Sequence, residues 1–445
     1  MGRSARRRER SDSGMRQHTR VGKAVQRRRT VLTAVAAALG MTAVLAGCGM
    51  TSGSDEVTLK LVAADYGENK GNSSQKYWDA LVEDFEAEHS GIKVDVDVYS
   101  WKDVDAKVAA MVRKGEAPDM AQIGAYADYA AAGKLYSADE LLSVPVQSDF
   151  LPSLTEAGEL KRVQYGLPFA SSTRLLFYNK KLFKNASLTP PKTWSQLAQD
   201  AGTLKARGVK YPFALPLGAE EAPAETLIWM LSGGAGYTDT AGSYTLDDEQ
   251  NVKTFDWLKN KLVTPGLTGP VAPADLNRQD AFDAFTRGEV GMLNGHPTLM
   301  KQARAKGIDF GMVPMPGPDG KTSATMGVAD WMMGFKQNGH RDEIGQFLDF
   351  VYSEKNVVEF SERYNILPVT TSASDAMAAD SSHKALKPFI EELGSSRLYP
   401  VGKTSWAQVS AEIKKRIGGA VSRSGSPGSV LGSLQTYASA AEAAE

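Results

Sequence analysis

The chain has 445 residues, of which 23% are charged and 42% hydrophobic, a composition typical of globular rather than disordered proteins. The first 47 residues contain 11 Lys and Arg against two acids, which leaves 40 bases and 50 acids in the remainder. That acidic excess argues against a nucleic-acid partner. The single cysteine excludes an intrachain disulfide and a cysteine-rich zinc site.

The N-terminus has the features of a signal peptide over residues 1–47. Three consecutive arginines at 27–29 precede an apolar run at 31–46, which is short for a membrane span of about 20 residues. The run closes with Leu-Ala-Gly-Cys, which resembles the bacterial lipobox and predicts a lipid on Cys48. The alternative is a lone cysteine in a membrane anchor or a buried core. The arginine pair also resembles a twin-arginine signal, so the export route stays open.

Residues 48–56 are small and polar, as expected of a tether. After them, 57–63 and 92–98 alternate apolar and polar residues and predict strands. Between and after these strands, apolar residues recur at helical spacing over 77–85 and 101–112, and an extended segment follows. The alternation of strands and helices predicts a parallel α/β sheet.

The second half of the chain continues this alternation. It predicts strands at 174–178, 290–293 and 308–313, and helices at 222–231, 250–262 and 278–287. The three prolines within 314–320 predict an irregular loop, because proline cannot continue a helix or a central strand. From residue 341 onward the pattern is mostly helical.

Six features of the chain occur in a characteristic order. They are the lipobox, GEAPD at 115–119, YGLPF at 165–169 leading into LFYNK at 176–180, PKTW at 191–194, AFTRGEVGM at 284–292 and YNILPV at 364–369. Together they resemble family 1 extracellular solute-binding proteins of bacterial ABC transporters, the group that includes maltose-binding proteins. The resemblance spans nearly all of residues 57–445.

The resemblance implies an α/β, two-lobed periplasmic-binding-protein-like fold with interleaved lobes and a ligand cleft between them. Lobe one would comprise 57–169 plus 292–315, and lobe two 170–291 plus 316–445. The expected protein is a monomer, anchored by lipid to the extracytoplasmic face of the cell membrane. It would capture a mono- or oligosaccharide and deliver it to ABC permease subunits.

A sugar receptor needs carboxylates and amides for hydroxyl groups and aromatic rings for C–H faces. In open α/β sheets these contacts lie at the carboxyl ends of strands. Asp330 beside Trp331 offers both kinds of contact and is the leading candidate; an inward-pointing Arg363 would make an acidic sugar possible. The other candidates are Asp65, Tyr66, Gly124, Tyr126, Ser171, Ser172, Trp229, Asn294 and Tyr364. For each, a polar turn or core packing is the alternative.

Enzyme signatures are weak in this chain. It lacks a Gly-x-Ser-x-Gly elbow, and its five histidines do not occur at metal-ligand spacing. The prediction is therefore a binding protein with no catalytic residue, metal or cofactor. Two alternatives stay open: a glycosidase that uses paired carboxylates, and a lipoprotein that binds other proteins.

Overall fold

The structure is a computed structural model, which describes residues 56–67, 70–321 and 324–445. The predicted signal peptide, Cys48 and all but the last residue of the tether lie outside the described residues. Within the described ranges, no helix has the length and apolarity needed to cross a membrane.

The strands form two main sheets and one short hairpin. Their bounds are β1 Val57–Ala64, β2 Ile92–Tyr99, β3 Met120–Ile123, β4 Glu159–Leu160, β5 Val163–Gln164, β6 Leu167–Thr173, β7 Leu175–Asn179, β8 Tyr211–Phe213, β9 Val290–Gly295, β10 Phe310–Val313 and β11 Gly327–Gly334.

Helices connect and cover these strands. Their bounds are α1 Ser74–Glu88, α2 Val104–Lys114, α3 Ala127–Ala131, α4 Ala138–Leu141, α5 Val144–Asp149, α6 Pro152–Ala157, α7 Lys180–Ala186, α8 Trp194–Ala206, α9 Ala222–Ser232, α10 Glu249–Trp257, α11 Arg278–Thr286, α12 Pro297–Ala305, α13 Arg341–Val351, α14 Glu354–Tyr364, α15 Thr371–Ala379, α16 Lys387–Leu393, α17 Trp406–Ala420 and α18 Pro427–Glu442. A π-helical turn, Leu258–Val263, continues α10.

The five-stranded sheet has the order β2-β1-β3-β11-β6. β1 pairs in parallel with β2 and β3, while β11 runs antiparallel to both β3 and β6. All four residues of β3 are buried, as expected of a central strand covered on both faces. The parallel alternation predicted for the first part of the body is confirmed.

The four-stranded sheet has the order β10-β7-β9-β8. β7 pairs antiparallel with β9 and β10, and β8 runs parallel to β9. The strands predicted near 174–178, 290–293 and 308–313 thus all occur in one sheet. The predicted irregular loop at 314–320 is also confirmed, since no helix or strand forms there.

The sheet pairings cut across the predicted lobe division in two places, and the division itself stays a prediction. Most of β9 and all of β10 were expected in lobe one, but they pair with β7 of the four-stranded sheet. β11 was expected in lobe two, but it lies between β3 and β6 of the five-stranded sheet, and α13 packs on α1 and β1. The physical reason is the pairing of β11 with β3. β11 begins at residue 327, so the chain returns to the five-stranded sheet there and not near residue 292.

The chain passes between the two sheets at neighbouring segments. β6 leads directly into β7, and the start of β11 lies beside the end of β6, where Gly327 is paired with Thr173. A third segment joins them, because the Gly327 N–H donates to the Arg397 carbonyl. A Cβ at Gly327 would lie 2.5 Å from Ser396 Oγ, so this close approach requires glycine.

Candidate functional site

A half-buried carboxyl, that of Asp330, lies on β11 of the five-stranded sheet. Tyr66 follows the end of β1, and its hydroxyl donates to Asp330 Oδ2 at 2.8 Å. Gln122 on β3 donates from Nε2 to the Tyr66 hydroxyl at 2.9 Å, and its Oε1 accepts from the Ala64 N–H. We call Tyr66, Gln122 and Asp330 the Asp330 cluster.

The electrostatics of the Asp330 cluster favour a protonated carboxyl. Burial raises the pKa of Asp330 to about 7, and the negative charge of Asp105 adds to this, while the Tyr66 hydrogen bond opposes it. Burial and the Asp330 charge also raise the pKa of Tyr66 well above its usual value. Near neutral pH the cluster can therefore change its charge by one proton.

Aromatic rings surround this cluster. The Tyr66 ring meets Trp101 edge-on at 5.3 Å and Phe360 edge-on at 5.1 Å between ring centroids, and Tyr364 lies at 5.7 Å. The Tyr364 hydroxyl donates to the Ser73 carbonyl at 3.3 Å. We call Trp101, Phe360 and Tyr364 the aromatic shell.

A second buried carboxyl lies at the edge of the four-stranded sheet. Glu225, in the first turn of α9, accepts on Oε1 from Trp229 Nε1 at 2.8 Å and from Asn294 Nδ2 at 2.9 Å. The helical i, i+4 spacing brings Glu225 and Trp229 to one face, and Asn294 lies near the end of β9. Burial raises the pKa of Glu225 to about 7. We call these three residues the Glu225 cluster.

Paired charges surround the Glu225 cluster. Arg174 donates to Glu221 Oε1 at 2.8 Å and to Ser172 Oγ at 3.1 Å. Arg278 pairs with Glu220 at 2.6 Å and also with Glu221. We call Arg174, Glu220, Glu221 and Arg278 the charged shell; each of its cations is paired with a carboxylate.

A large cavity of about 630 Å³ is lined by three other segments of the chain. Glu156 and Glu159, which precede β6, line one side, and residues 238–242, which follow α9, line the other. The segment 396–403 completes the wall with Tyr399. Burial raises the pKa of Tyr399 far above its usual value, and the Glu221 charge adds to this.

Besides Trp229, which belongs to the Glu225 cluster but is fully buried, five predicted site residues lie in or directly against the two clusters or the charged shell. Tyr66 and Asp330 form the first cluster with Gln122, and Tyr364 packs on it. Asn294 belongs to the second, and the hydroxyl of Ser172 accepts from a charged-shell arginine. These five remain predicted ligand contacts.

Two further predicted residues have local structural partners. The Asp65 carboxylate accepts from the backbone N–H groups of Gly67 and Ser74, which caps the turn after β1. Gly124 is exposed, and its N–H donates to Asp105 Oδ1 at 3.2 Å. The polar-turn alternative describes Asp65 well in this conformation.

The four remaining predicted residues are buried: Tyr126, Ser171, Trp229 and Trp331. The Tyr126 hydroxyl donates to the Ala157 carbonyl at 2.6 Å, and the Ser171 hydroxyl donates to the Leu367 carbonyl at 3.2 Å. Trp331 and Trp229 have no exposed surface. In this conformation these four side chains pack the core, because none of them presents a surface to the large cavity or to the sheet edges.

Arg363 does not support an acidic ligand. Its guanidinium lies over the Tyr77 ring at 5.9 Å and pairs with Glu359 at 3.6 Å. Both partners lie within or beside α14, so the Arg363 charge is already paired there and is not directed at a ligand.

Several polar residues of these sites were not predicted. Gln122 and Glu225 complete the two clusters, Arg174 and Glu221 form the charged shell, and Tyr399 lines the large cavity. The sequence held one usable signal, since Glu225 lies one helical turn before a predicted tryptophan. No group of three or more His, Cys, Asp or Glu side chains suited to a metal occurs in the described part of the chain.

The chain matches the family model for bacterial extracellular solute-binding proteins over residues 71–358. A binding protein of Brucella abortus (strain 2308) is 27% identical over 337 residues, which cover 74% of this chain and 80% of that protein. The sn-glycerol-3-phosphate-binding periplasmic protein UgpB of Escherichia coli (strain K12) is 28% identical over 331 residues, which cover 67% of this chain and 72% of that protein.

Solved structures of sugar-binding proteins share the fold. The cyclic α-maltosyl-1,6-maltose binding protein of Arthrobacter globiformis superposes with a TM-score of 0.74 at 18% identity, covering 87% of this chain and 99% of that chain. The sugar-binding protein MalE of Xanthomonas citri gives a TM-score of 0.72 at 19% identity, covering 87% and 97%. These likenesses confirm the predicted two-lobed α/β fold.

Proposed function

The chain belongs to the family of bacterial extracellular solute-binding proteins, and on that premise we propose that it captures a sugar outside the cytoplasm and delivers it to the permease of an ABC importer. The observation that carries the sugar proposal is the large cavity. Its lining combines the carboxylates Glu156 and Glu159 with the Tyr399 ring, the two kinds of group that sugar hydroxyls and C–H faces require. Its volume is also within the usual range for small-molecule sites.

The charge balance of the charged shell favours a neutral ligand. Arg174 and Arg278 are both engaged by carboxylates of the charged shell. A phosphate or carboxylate ligand would have to displace one of these partners, whereas a hydroxyl group needs no free cation.

A phosphorylated polyol is the second candidate, and one residue favours it. Arg397 lines the large cavity, and its guanidinium has no ion pair among the described residues. One relative is a glycerol-3-phosphate-binding protein. Screening sugars and polyol phosphates side by side separates the two candidates.

We propose that the two lobes follow the sheets: 57–173 plus 327–395 in lobe one, and 175–326 plus 397–445 in lobe two. The segments that pass between the sheets near Thr173, Gly327 and Arg397 would then serve as the hinge. A ligand that contacts both lobes shifts the open and closed populations by its greater affinity for the closed form.

Lipidation of Cys48 is proposed from the lipobox. The attached lipid would keep the protein at the outer face of the cell membrane, near its permease. We expect Cys48→Ser to release the protein into the soluble fraction of cells that retain the parent protein in the membrane fraction. A variant that stays in the membrane fraction would overturn lipidation at this residue.

The function is tested by a thermal-shift screen of residues 55–445 against saccharides, polyols, polyol phosphates and amino acids. Ligand at about a thousand times its Kd should stabilise the fold by about 4 kcal/mol. A rise in Tm with one saccharide that is recovered uncleaved supports a sugar-binding transport protein. Recovery of cleaved sugar would favour a glycosidase, and no rise with any compound would favour a protein-binding lipoprotein.

A further inference from the structure

A small polar pocket lies against the Glu225 cluster. It is lined by both arginines of the charged shell and by Glu221, Glu225 and Asn294, and we call it the Asn294 pocket. Its volume is about 20 Å³. A cavity needs about 10 to 15 Å³ to hold one water, so this pocket admits one oxygen-sized group.

The pocket has unused hydrogen-bonding capacity. Asn294 is 4% exposed, and its Oδ1 has no hydrogen-bond partner among the described residues. Exchanging the oxygen and nitrogen of this amide would not remove the problem, because an unpaired N–H would then replace the unpaired oxygen. Both donors to Glu225, Trp229 Nε1 and Asn294 Nδ2, bond to the same oxygen, Oε1.

The charges around the pocket restrict what can enter it. Arg174 and Arg278 repel a cation, while Glu221 and the Glu225 carboxyl disfavour an anion. A methyl group would fit the volume but would leave Asn294 Oδ1 unpaired, which is costly in a buried site. A hydroxyl group is neutral, fits the volume, and both donates and accepts hydrogen bonds.

We propose that the Asn294 pocket receives one hydroxyl group of the bound sugar, which donates to Asn294 Oδ1 and selects ligands that carry a hydroxyl at that position. The inference deepens the proposed sugar-binding function and rests on it. The pocket's place at the strand ends of the four-stranded sheet, where α/β proteins bind ligands, supports this assignment. Glu221 lines the pocket, and its charge also raises the pKa of Tyr399 in the wall of the large cavity.

The proposal makes Asn294 a specificity-determining residue. A site built to bond a hydroxyl rejects an analogue that lacks it, because the buried acceptor stays unpaired. A water molecule can replace the missing hydroxyl in a pocket of this size and reduces the penalty. We therefore expect a loss of about 10- to 100-fold in affinity, rather than the larger factors of fully dry sites.

The test compares two matched leucine substitutions. Asn294→Leu fills the pocket with an apolar side chain of similar shape. Asn251→Leu is the control, because Asn251 is also fully buried with an unpaired Oδ1, yet it lies in α10 and does not line the pocket. Calorimetric titration is performed with each saccharide or polyol that raises the Tm of the parent protein.

The expected result is a Kd at least tenfold higher for Asn294→Leu than for Asn251→Leu, with both variants melting cooperatively. Monodeoxy analogues of the same sugar provide the second readout. For the parent protein, one analogue should bind much more weakly than the full sugar. Asn294→Leu should bind that analogue and the full sugar with about equal affinity, since the contact with the missing hydroxyl is already absent. A folded Asn294→Leu variant that binds with parental affinity would overturn the proposal while leaving sugar binding intact.

If Asn294→Leu does not fold, the parent protein still decides the question. Crystals of the ligand-free protein are soaked with 1,2-ethanediol as the hydroxyl probe. A diol hydroxyl bonded to Asn294 Oδ1 supports the pocket, and a pocket that excludes the diol overturns it. If no compound raises the Tm in the thermal-shift screen but a diol hydroxyl is bound in the crystal, the proposed sugar function is overturned and the hydroxyl site is retained.

Discussion

The Asp330 and Glu225 clusters are built from the same parts on opposite sheets. Each has a carboxyl whose pKa is raised to about 7, an aromatic side chain that donates to it, and an amide. They differ in how far their hydrogen bonds are satisfied. Gln122 uses both ends of its amide, whereas Asn294 uses only its nitrogen.

That difference separates a structural cluster from one that can take a ligand group. Gln122 ties β1 to the Asp330 cluster and leaves no amide atom of its own unpaired, so removing any member should reduce stability. The Glu225 cluster keeps an open acceptor beside a cavity, so its changes should affect binding as well. The surroundings of the two clusters also differ: an aromatic shell surrounds the Asp330 cluster, and a charged shell surrounds the Glu225 cluster.

The largest effect is expected from breaking the hydrogen bonds of the Asp330 cluster. Tyr66→Phe keeps the ring contacts but deprives Asp330 of a donor and Gln122 of an acceptor. The buried Gln122 amide and the half-buried Asp330 carboxyl would each lose a partner, which should lower the free energy of unfolding by about 3 to 4 kcal/mol at pH 7. The Tyr66 hydrogen bond lowers the pKa of Asp330, so the loss should be smaller at pH 5, where the carboxyl is protonated. Urea unfolding at both pH values measures this.

Tyr178→Phe is the matched control for that experiment. Tyr178 lies in β7, packs on Phe183, and its hydroxyl has no hydrogen bond to any other residue in the described ranges. Removing it should change the free energy of unfolding by well under 1 kcal/mol. Equal losses in the two variants would show that the Asp330 cluster contributes no more than an ordinary tyrosine hydroxyl.

The second prediction tests whether the Glu225 cluster gains stability from its proton. Its pKa of about 7 lies above the ordinary 4.5, so the folded protein holds a proton that the unfolded chain releases between those values. The stabilisation is fully present below pH 4.5 and is lost as the pH rises through 7. The shift corresponds to about 3 kcal/mol. Glu225→Gln should remove this part of the pH dependence.

Asp330→Asn sharpens the comparison, because the pKa of Asp330 is raised in the same direction. Each single variant should keep the pH dependence contributed by the other carboxyl, and the double variant should lose both. Denaturant unfolding from pH 4 to 8 distinguishes these cases. A Glu225→Gln protein with the parental pH profile would show that this carboxyl is already ionised in the folded state.

The local sequence patterns predicted where the strands end, but not which side chains near those ends point away from the core. Asp330 and Trp331 are adjacent in β11, and the register of β11 against β6 shifts between them, so their positions could not be read from strand alternation alone. The structure places Asp330 in its cluster and Trp331 in the core. The indole of Trp229 is likewise buried, and its N–H serves the Glu225 carboxyl.

Long-range pairing explains the remaining differences. Which sheet receives β9 or β11 depends on partners more than a hundred residues away, which no local pattern encodes. Tyr399 was missed for the same reason, since only the fold brings the segment 396–403 beside residues 238–242. The resemblance gave the family correctly, while the sheet order depends on these long-range pairings.

The smallest expected effect tests the charged shell. Glu221→Gln keeps the shape and one acceptor but removes the charge shared by Arg174 and Arg278. Because the Glu221 side chain is 27% exposed, the loss should be about 1 kcal/mol at low salt and smaller at 1 M salt, where the Debye length is about 3 Å. No comparable salt dependence is expected for changes in the aromatic shell around Asp330.

Glu220→Gln is the control, because Glu220 pairs with Arg278 alone and does not contact Arg174. The Glu221 charge also raises the pKa of Glu225, so Glu221→Gln should move the pH midpoint of stability downward, whereas Glu220→Gln should not. Measuring both variants against salt and pH separates a direct ion pair from an effect on the buried carboxyl. If the two variants behave alike, Glu221 has no special coupling to the Glu225 cluster, and the pocket beside Asn294 is electrostatically independent of its charged shell.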